Sequence, residues 1–158
     1  MAHSVEKQLL AEPVRRLDLR EYILVTTDTS VRDTVERMSD MERACAFVVG
    51  ERTRLVGIVT DRDILQKVVA HPEVWDKPVT EIMTPNPKTL RPNATTGEAL
   101  RMMEEGRFRN VPIVQENGNI IGNLTHFSIL NYLSDHYGDT VYNLPPDPDN
   151  YADAPYGG

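Results

Sequence analysis

Two periods of apolar residues run through this chain, and they recur together. Ile23-Leu24-Val25-Thr26-Thr27 is a β-branched run that stops at the turn-forming Asp28-Thr29-Ser30, which predicts a short strand. Val31, Val35 and Met38 follow at helical spacing, behind Ser30 and Asp33, whose separation fits a capping box. Ala46-Phe47-Val48-Val49 and Leu55-Val56-Gly57-Ile58-Val59 predict two further strands, and a closing helix begins at Thr60. The unit then repeats. Lys88-Thr89-Leu90 predicts a strand before Arg91-Pro92-Asn93, and Thr95 with Glu98 predicts a second capping box. Ala99, Met102 and Met103 predict a helix, and Val111-Pro112-Ile113-Val114 and Ile120-Ile121-Gly122-Asn123-Leu124 predict strands. Between those strands Glu116-Asn117-Gly118-Asn119 is a hairpin signal, and another closing helix begins at Thr125.

The recurrence is a duplication. Gly57-Ile58-Val59-Thr60 superposes on Gly122-Asn123-Leu124-Thr125, 65 positions further on. The same offset pairs Pro13-Val14 with Pro78-Val79, Ser30 with Thr95, Met38 with Met103, and Ile64-Leu65 with Ile129-Leu130, without a gap. A period this long indicates two copies of one fold rather than a solenoid. The expected class is α+β: two tandem βαββα repeats related by a pseudo-twofold, over 13–70 and 78–134, joined by a linker at 71–77. Val5, Leu9 and Leu10 predict an added N-terminal helix within 1–12, packed on the repeats or on a second copy. The Pro- and Asp-rich end of the chain predicts an extended or disordered tail within 135–158.

Composition narrows the function. The chain has 158 residues and a formal net charge of −7. An acidic chain without a basic run lacks the cation density that nucleic acids demand. No stretch approaches the roughly 20 apolar residues of a membrane helix and the start has no apolar signal core, so a cytoplasmic location is the default expectation. Cys45 stands alone, and with His3, His71, His126 and His136 it forms no cluster of metal-ligand spacing. There is no phosphate loop, His-Glu-x-x-His or nucleophile elbow, so no enzyme is expected.

The motif that carries chemistry is Gly57-Ile58-Val59-Thr60-Asp61-Arg62-Asp63, a strand ending in Gly-x-x-Thr-x-x-Asp that opens a helix. Set in a duplicated βαββα unit, with Ile82-Met83-Thr84-Pro85 leading into the second copy and Arg107-Phe108-Arg109-Asn110-Val111-Pro112 within it, it resembles the CBS-domain family, whose paired form is the Bateman module. The resemblance covers roughly 13–134. It implies two clefts between the repeats, each suited to an adenosine-containing ligand such as AMP, ADP, ATP, S-adenosylmethionine or NAD, with or without Mg²⁺. It further implies a homodimer and, because no effector domain is visible in the chain, an effector protein in trans.

Carried onto this sequence, the pattern assigns Asp63 to the ribose diol, both hydroxyls of which can donate to one carboxylate. Thr60 offers a hydroxyl beside free backbone N–H groups at a helix start, a setting that favours phosphate. Ile23, Leu24 and Val25 are expected to line the adenine pocket opposite Val111 and Pro112, and Arg109 and Asn110 to reach the phosphates. Arg107 and Arg109, at alternate positions of a predicted strand, would share a face. The second copy reads Thr125-His126-Phe127-Ser128, without the carboxylate, and the residues facing it are Ala44 and Cys45 where the first cleft has Arg109 and Asn110. One strong site is therefore expected, with a vacant, weaker or differently selective second cleft around Thr125, Ser128 and Lys88 that Arg43 and Lys88 partly rescue. Simpler readings compete. Thr60 and Asp63 also fit a capping box that needs no ligand. Arg107 reads as a solvated arginine, the methionines as core, His71 and His126 as surface, and Cys45 as a small buried strand residue. The functional alternative is a structural or interaction scaffold that has kept this fold and lost its ligand.

Overall fold

The computed structural model describes residues 2–142; the Pro- and Asp-rich end, where the tail is expected, lies outside the described residues. The elements in order are α1 (Ala2–Ala11), β1 (Ile23–Thr26), α2 (Val31–Asp40), β2 (Cys45–Val49), β3 (Leu55–Thr60), α3 (Asp61–Lys67), β4 (Thr84–Pro85), α4 (Thr96–Gly106), β5 (Asn110–Val114), β6 (Ile120–Thr125) and α5 (His126–Tyr142). The fold is α+β, built as two tandem βαββα repeats. Helix α5 runs on through Tyr142, past the 135 boundary at which the sequence places the tail. No helix among the described residues is long and apolar enough to cross a membrane.

Repeat one forms a four-stranded sheet in the order β1-β2-β3-β4, with β1 parallel to β2 and the other pairs antiparallel. Its core gathers Ile23 and Val25 of β1, Val31 and Met38 of α2, and Ala46, Val48 and Val59. Repeat two has the β5-β6 hairpin, with a register shift at Ile113/Val114 that copies the one at Val48/Val49. Its core joins Leu9 of α1 to Ala99 and Met103 of α4 and to Val111, Ile113 and Leu124. The N-terminal helix therefore packs on repeat two, against α4.

Two expected elements come out differently. Lys88-Thr89-Leu90 forms no strand beyond a single parallel bridge, Leu90 to Ile113. Leu90 N–H donates to Pro112 O, and Leu90 O accepts from Val114 N–H. Continuing that ladder requires an N–H at residue 112 on one side and at residue 92 on the other, and both are prolines. In repeat one the same places hold Phe47 and Thr27, and the strand forms. The cap of α2 is also half of what its sequence predicts: Ser30 Oγ accepts from Asp33 N–H at 3.0 Å, with no return bond from the Asp33 carboxylate. Thr95 and Glu98 complete their capping box in both directions.

The two repeats exchange their leading segments. Residues ahead of repeat one pack on repeat two: Thr96 N–H donates to Glu12 O, Val14 N–H to Ala94 O and Asn123 N–H to Leu19 O. Residues ahead of repeat two return the exchange, with Val31 N–H bonded to Lys77 O, Val79 N–H to Thr29 O, and β4 laid along β3. The isolated bridges Pro13–Thr95 and Ser30–Pro78 show the same pairing at the 65-residue offset. Gly57 and Gly122, equivalent residues, allow the close approach: a Cβ on Gly57 would meet Met83 Sδ at 2.3 Å, and one on Gly122 would meet Leu19 O at 2.5 Å.

Candidate functional site

Because β4 and the chain after it belong to repeat two but lie on repeat one, the end of β3 faces residues of both halves. A cavity of about 530 Å³ opens there, within the usual range for a small-molecule site. Repeat one supplies Ile58 and Thr60 of β3 with Asp61, Arg62, Asp63, Leu65 and Gln66 of α3. Repeat two supplies Thr84, Asn86, Pro87 and Lys88 from its leading segment and Phe108, Arg109 and Asn110 from the approach to β5. The ring of Phe108 reaches this position by lying across Gly106, where a Cβ would sit 1.8 Å from Phe108 Cε1.

Asp63 is the buried centre of the polar wall, 8% exposed. Its Oδ2 accepts from Thr60 N–H at 2.9 Å and faces Thr60 Oγ1 at 3.3 Å. Its Oδ1 pairs with Lys67 Nζ at 3.0 Å and stands 3.5 Å from Thr84 Oγ1. Lys67 Nζ also donates to Ile82 O at 2.9 Å, which ties α3 to the exchanged segment. The capping box that the sequence offered as the simpler reading is present. The carboxylate oxygen left with a weakly held hydroxyl and an ammonium faces Thr84, a cavity residue. Asn110 is oriented by Asn123 Nδ2, which donates to Asn110 Oδ1 at 2.9 Å and to Glu21 O at 2.9 Å.

Thr60, Asp63, Arg109 and Asn110, four residues the sequence nominates, thus meet in one cavity. Ile23, Leu24, Val25, Val111 and Pro112 do not line it. Strand β1 alternates inward and outward, so Ile23 and Val25 are buried in the core of repeat one, while Leu24 lies in a separate groove with Met41 and Ile121. Val111 is buried in the core of repeat two, and Pro112 is buried in the middle of β5. The apolar wall consists instead of Ile58, Leu65, Pro87 and Phe108. Lys88, expected at the second cleft, lines the first. Arg107 and Arg109 precede β5 rather than sharing a strand face; Arg107 ends α4 at φ 53° and does not line the cavity. The free backbone N–H groups expected at Thr60 are engaged: Thr60 N–H with Asp63, Asp61 N–H with Ala44 O, and Arg62 N–H with Asp61 Oδ1.

The sequence model of the CBS domain matches this chain twice, over residues 14–70 and 79–135. The chain belongs to the CBS-domain family. Among its relatives is the CBS domain-containing protein CBSCBSPB1 of Arabidopsis thaliana, 33% identical over 109 residues; that stretch is 68% of this chain and 20% of the relative. Among solved structures, an uncharacterized conserved protein from Pyrococcus horikoshii superposes with a TM-score of 0.71 at 30% identity, covering 78% of this chain and 92% of that one. CBSX2, solved in complex with AMP, superposes with a TM-score of 0.67 at 28% identity over 78% of this chain and 96% of its own. The CBS pair spans about a fifth of the length of the Arabidopsis relatives it matches.

The second CBS repeat repeats the cap of the first and drops its charge. Ser128 Oγ accepts from Thr125 N–H at 3.0 Å and Thr125 Oγ1 from Ser128 N–H at 3.1 Å, so a hydroxyl closes the box where Asp63 does in the first repeat. At the places of Thr84, Asn86 and Lys88 stand Leu19, Glu21 and Ile23. Arg43, at the place of Phe108, is neutralised by Glu21, with Nη1 3.1 Å from both carboxylate oxygens. Cys45, at the place of Asn110, is fully buried, and that burial, with Asp63 and Asp61 nearby, pushes its thiol well above the ordinary range. No group of three or more His, Cys, Asp or Glu among the described residues is placed to hold a metal ion.

Proposed function

We propose that this CBS pair is a regulatory module rather than an enzyme, and that it binds an adenosine-containing ligand in the cavity around Asp63. The observation that carries the reading is the convergence of Thr60 and Asp63 from one repeat with Arg109 and Asn110 from the other. A nucleotide has the two ends this wall suits: a diol for the carboxylate, and an anion for the guanidinium. The AMP complex of CBSX2, a relative of the same fold, supports the ligand class. The region of Thr125 and Ser128 is the weaker or vacant counterpart. Ligand binding becomes regulation when the ligand favours one arrangement of repeats or subunits over another. An effector protein in trans, and a second copy of the chain, are the readers of that change. Leu65 of α3 and Leu130 of α5, equivalent residues 70% and 54% exposed, and Phe127, 58% exposed, are the face we assign to the homodimer. Mg²⁺ accompanies the ligand only where its phosphates bring it.

The test is thermal unfolding against AMP, ADP, ATP, S-adenosylmethionine and NAD, with guanosine nucleotides as controls, in wild type and Asp63→Ser. A ligand at about a hundred times its Kd stabilises the fold by roughly 2.7 kcal/mol, several degrees in Tm. Asp63→Ser copies the hydroxyl cap of Ser128, so the variant should melt close to wild type and lose ligand affinity tenfold or more. A cooperative wild type that shifts with none of the panel would replace this reading with the scaffold.

A further inference from the structure

Resting on the adenosine reading, the charges of the cavity specify what the ligand carries beyond its ribose. Three cations from three segments line it: Arg62 on the first turn of α3, Lys88 after β4, and Arg109 before β5. Elsewhere in the chain Arg16, Arg20, Arg32, Arg43 and Lys67 have carboxylate partners, each within 3.3 Å. Lys88 and Arg109 have neither an ion pair nor a side-chain hydrogen bond among the described residues. Arg62 makes one long contact, Nη1–H to Arg107 O at 3.4 Å.

The lining offers these cations little relief. Its two carboxylates are Asp61, which accepts from Arg62 N–H, and Asp63, which is paired with Lys67. The backbone at the start of α3 cannot take an anion in their place, because its N–H groups are engaged within the protein. An anion therefore falls to side chains. One phosphate is met by a single guanidinium in a bidentate contact. Lys88, on a different segment, is a further cation beyond what one phosphate needs, available to a second phosphate.

We propose that the cavity selects its adenosine ligand by phosphate number, with Arg109 on the inner phosphate and Lys88 on the outer ones. ADP and ATP then bind more tightly than AMP, and S-adenosylmethionine, whose sulfonium would face three cations, binds worst. Lys88 is the specificity-determining residue.

Calorimetric titration of the full chain with adenosine, AMP, ADP, ATP, S-adenosylmethionine and inorganic tripolyphosphate, in wild type and Lys88→Gln, decides this. Lys88 is exposed, so the substitution leaves the core intact. Affinity should rise at least fivefold from AMP to ADP, and Lys88→Gln should remove that gain while changing AMP by less than twofold. AMP binding as tightly as ADP, S-adenosylmethionine binding more tightly than ADP, or equal weakening of all nucleotides by Lys88→Gln would overturn the proposal. The adenosine reading fails separately. Lys88-dependent binding of tripolyphosphate with no gain from an attached adenosine would keep the phosphate selectivity and remove the nucleoside; binding of neither would remove both.

Discussion

Asp63 and Ser128 do one structural task with different oxygens. Each satisfies the backbone N–H of the threonine three residues earlier, and only Asp63 brings a charge and a second acceptor. Truncation and replacement should therefore separate. Asp63→Ala leaves Thr60 N–H without its acceptor and Lys67 without its carboxylate, and should cost about 1–2 kcal/mol in denaturant unfolding. Asp63→Ser should cost less than half of that. Cys45 yields a pH prediction of definite sign. Its thiol stays protonated in the folded state well beyond the unfolded value of about 8.5, so the unfolded chain releases a proton that the folded chain keeps. Stability should be unaffected below that value and fall above it, by up to about 1.4 kcal/mol per pH unit, between pH 9 and 10. Cys45→Ala should flatten this slope in chemical denaturation.

At the scale of elements, Gly57 and Gly122 answer the same approach with different consequences. A methyl on Gly57 meets the flexible side chain of Met83, which can move; a methyl on Gly122 meets the backbone of Leu19. Gly122→Ala should be the more damaging, by about 1–3 kcal/mol in equilibrium unfolding, with Gly57→Ala below it. The helices and five of the six strands are legible in the sequence because they carry apolar runs or periodic apolar faces bounded by caps and turns. Strand β4 is not: two exposed residues ending in proline carry no period. Which repeat each leading segment joins is equally hidden, since Glu12 and Lys77 reach their partners through backbone atoms that leave no pattern. The same gap governs the site. The motifs mark Thr60, Asp63, Arg109 and Asn110, whereas the sequence reading gives Thr84, Asn86 and Phe108 no place in the site and puts Lys88 at the other cleft. The signal that could have found them was the Ile82-Met83-Thr84-Pro85 lead-in, had it been laid across repeat one.

For the whole molecule, the apolar residues that α3 and α5 leave outward become a question of assembly. Under the homodimer proposed above, Leu130→Glu should convert the protein to a monomer in light scattering without lowering its cooperativity of unfolding. A monomeric wild type would remove that assignment. The exchange of leading segments bears on how such a molecule arose. A half-length ancestor with one repeat would have had no second repeat on which to lay its own lead-in, except that of another identical chain. It would have existed as an intertwined pair, with both clefts encoded by one gene segment. Any substitution at its aspartate would have struck both clefts at once. In one polypeptide the two positions are encoded separately, so that one cleft can hold an aspartate, Asp63, and the other a serine, Ser128.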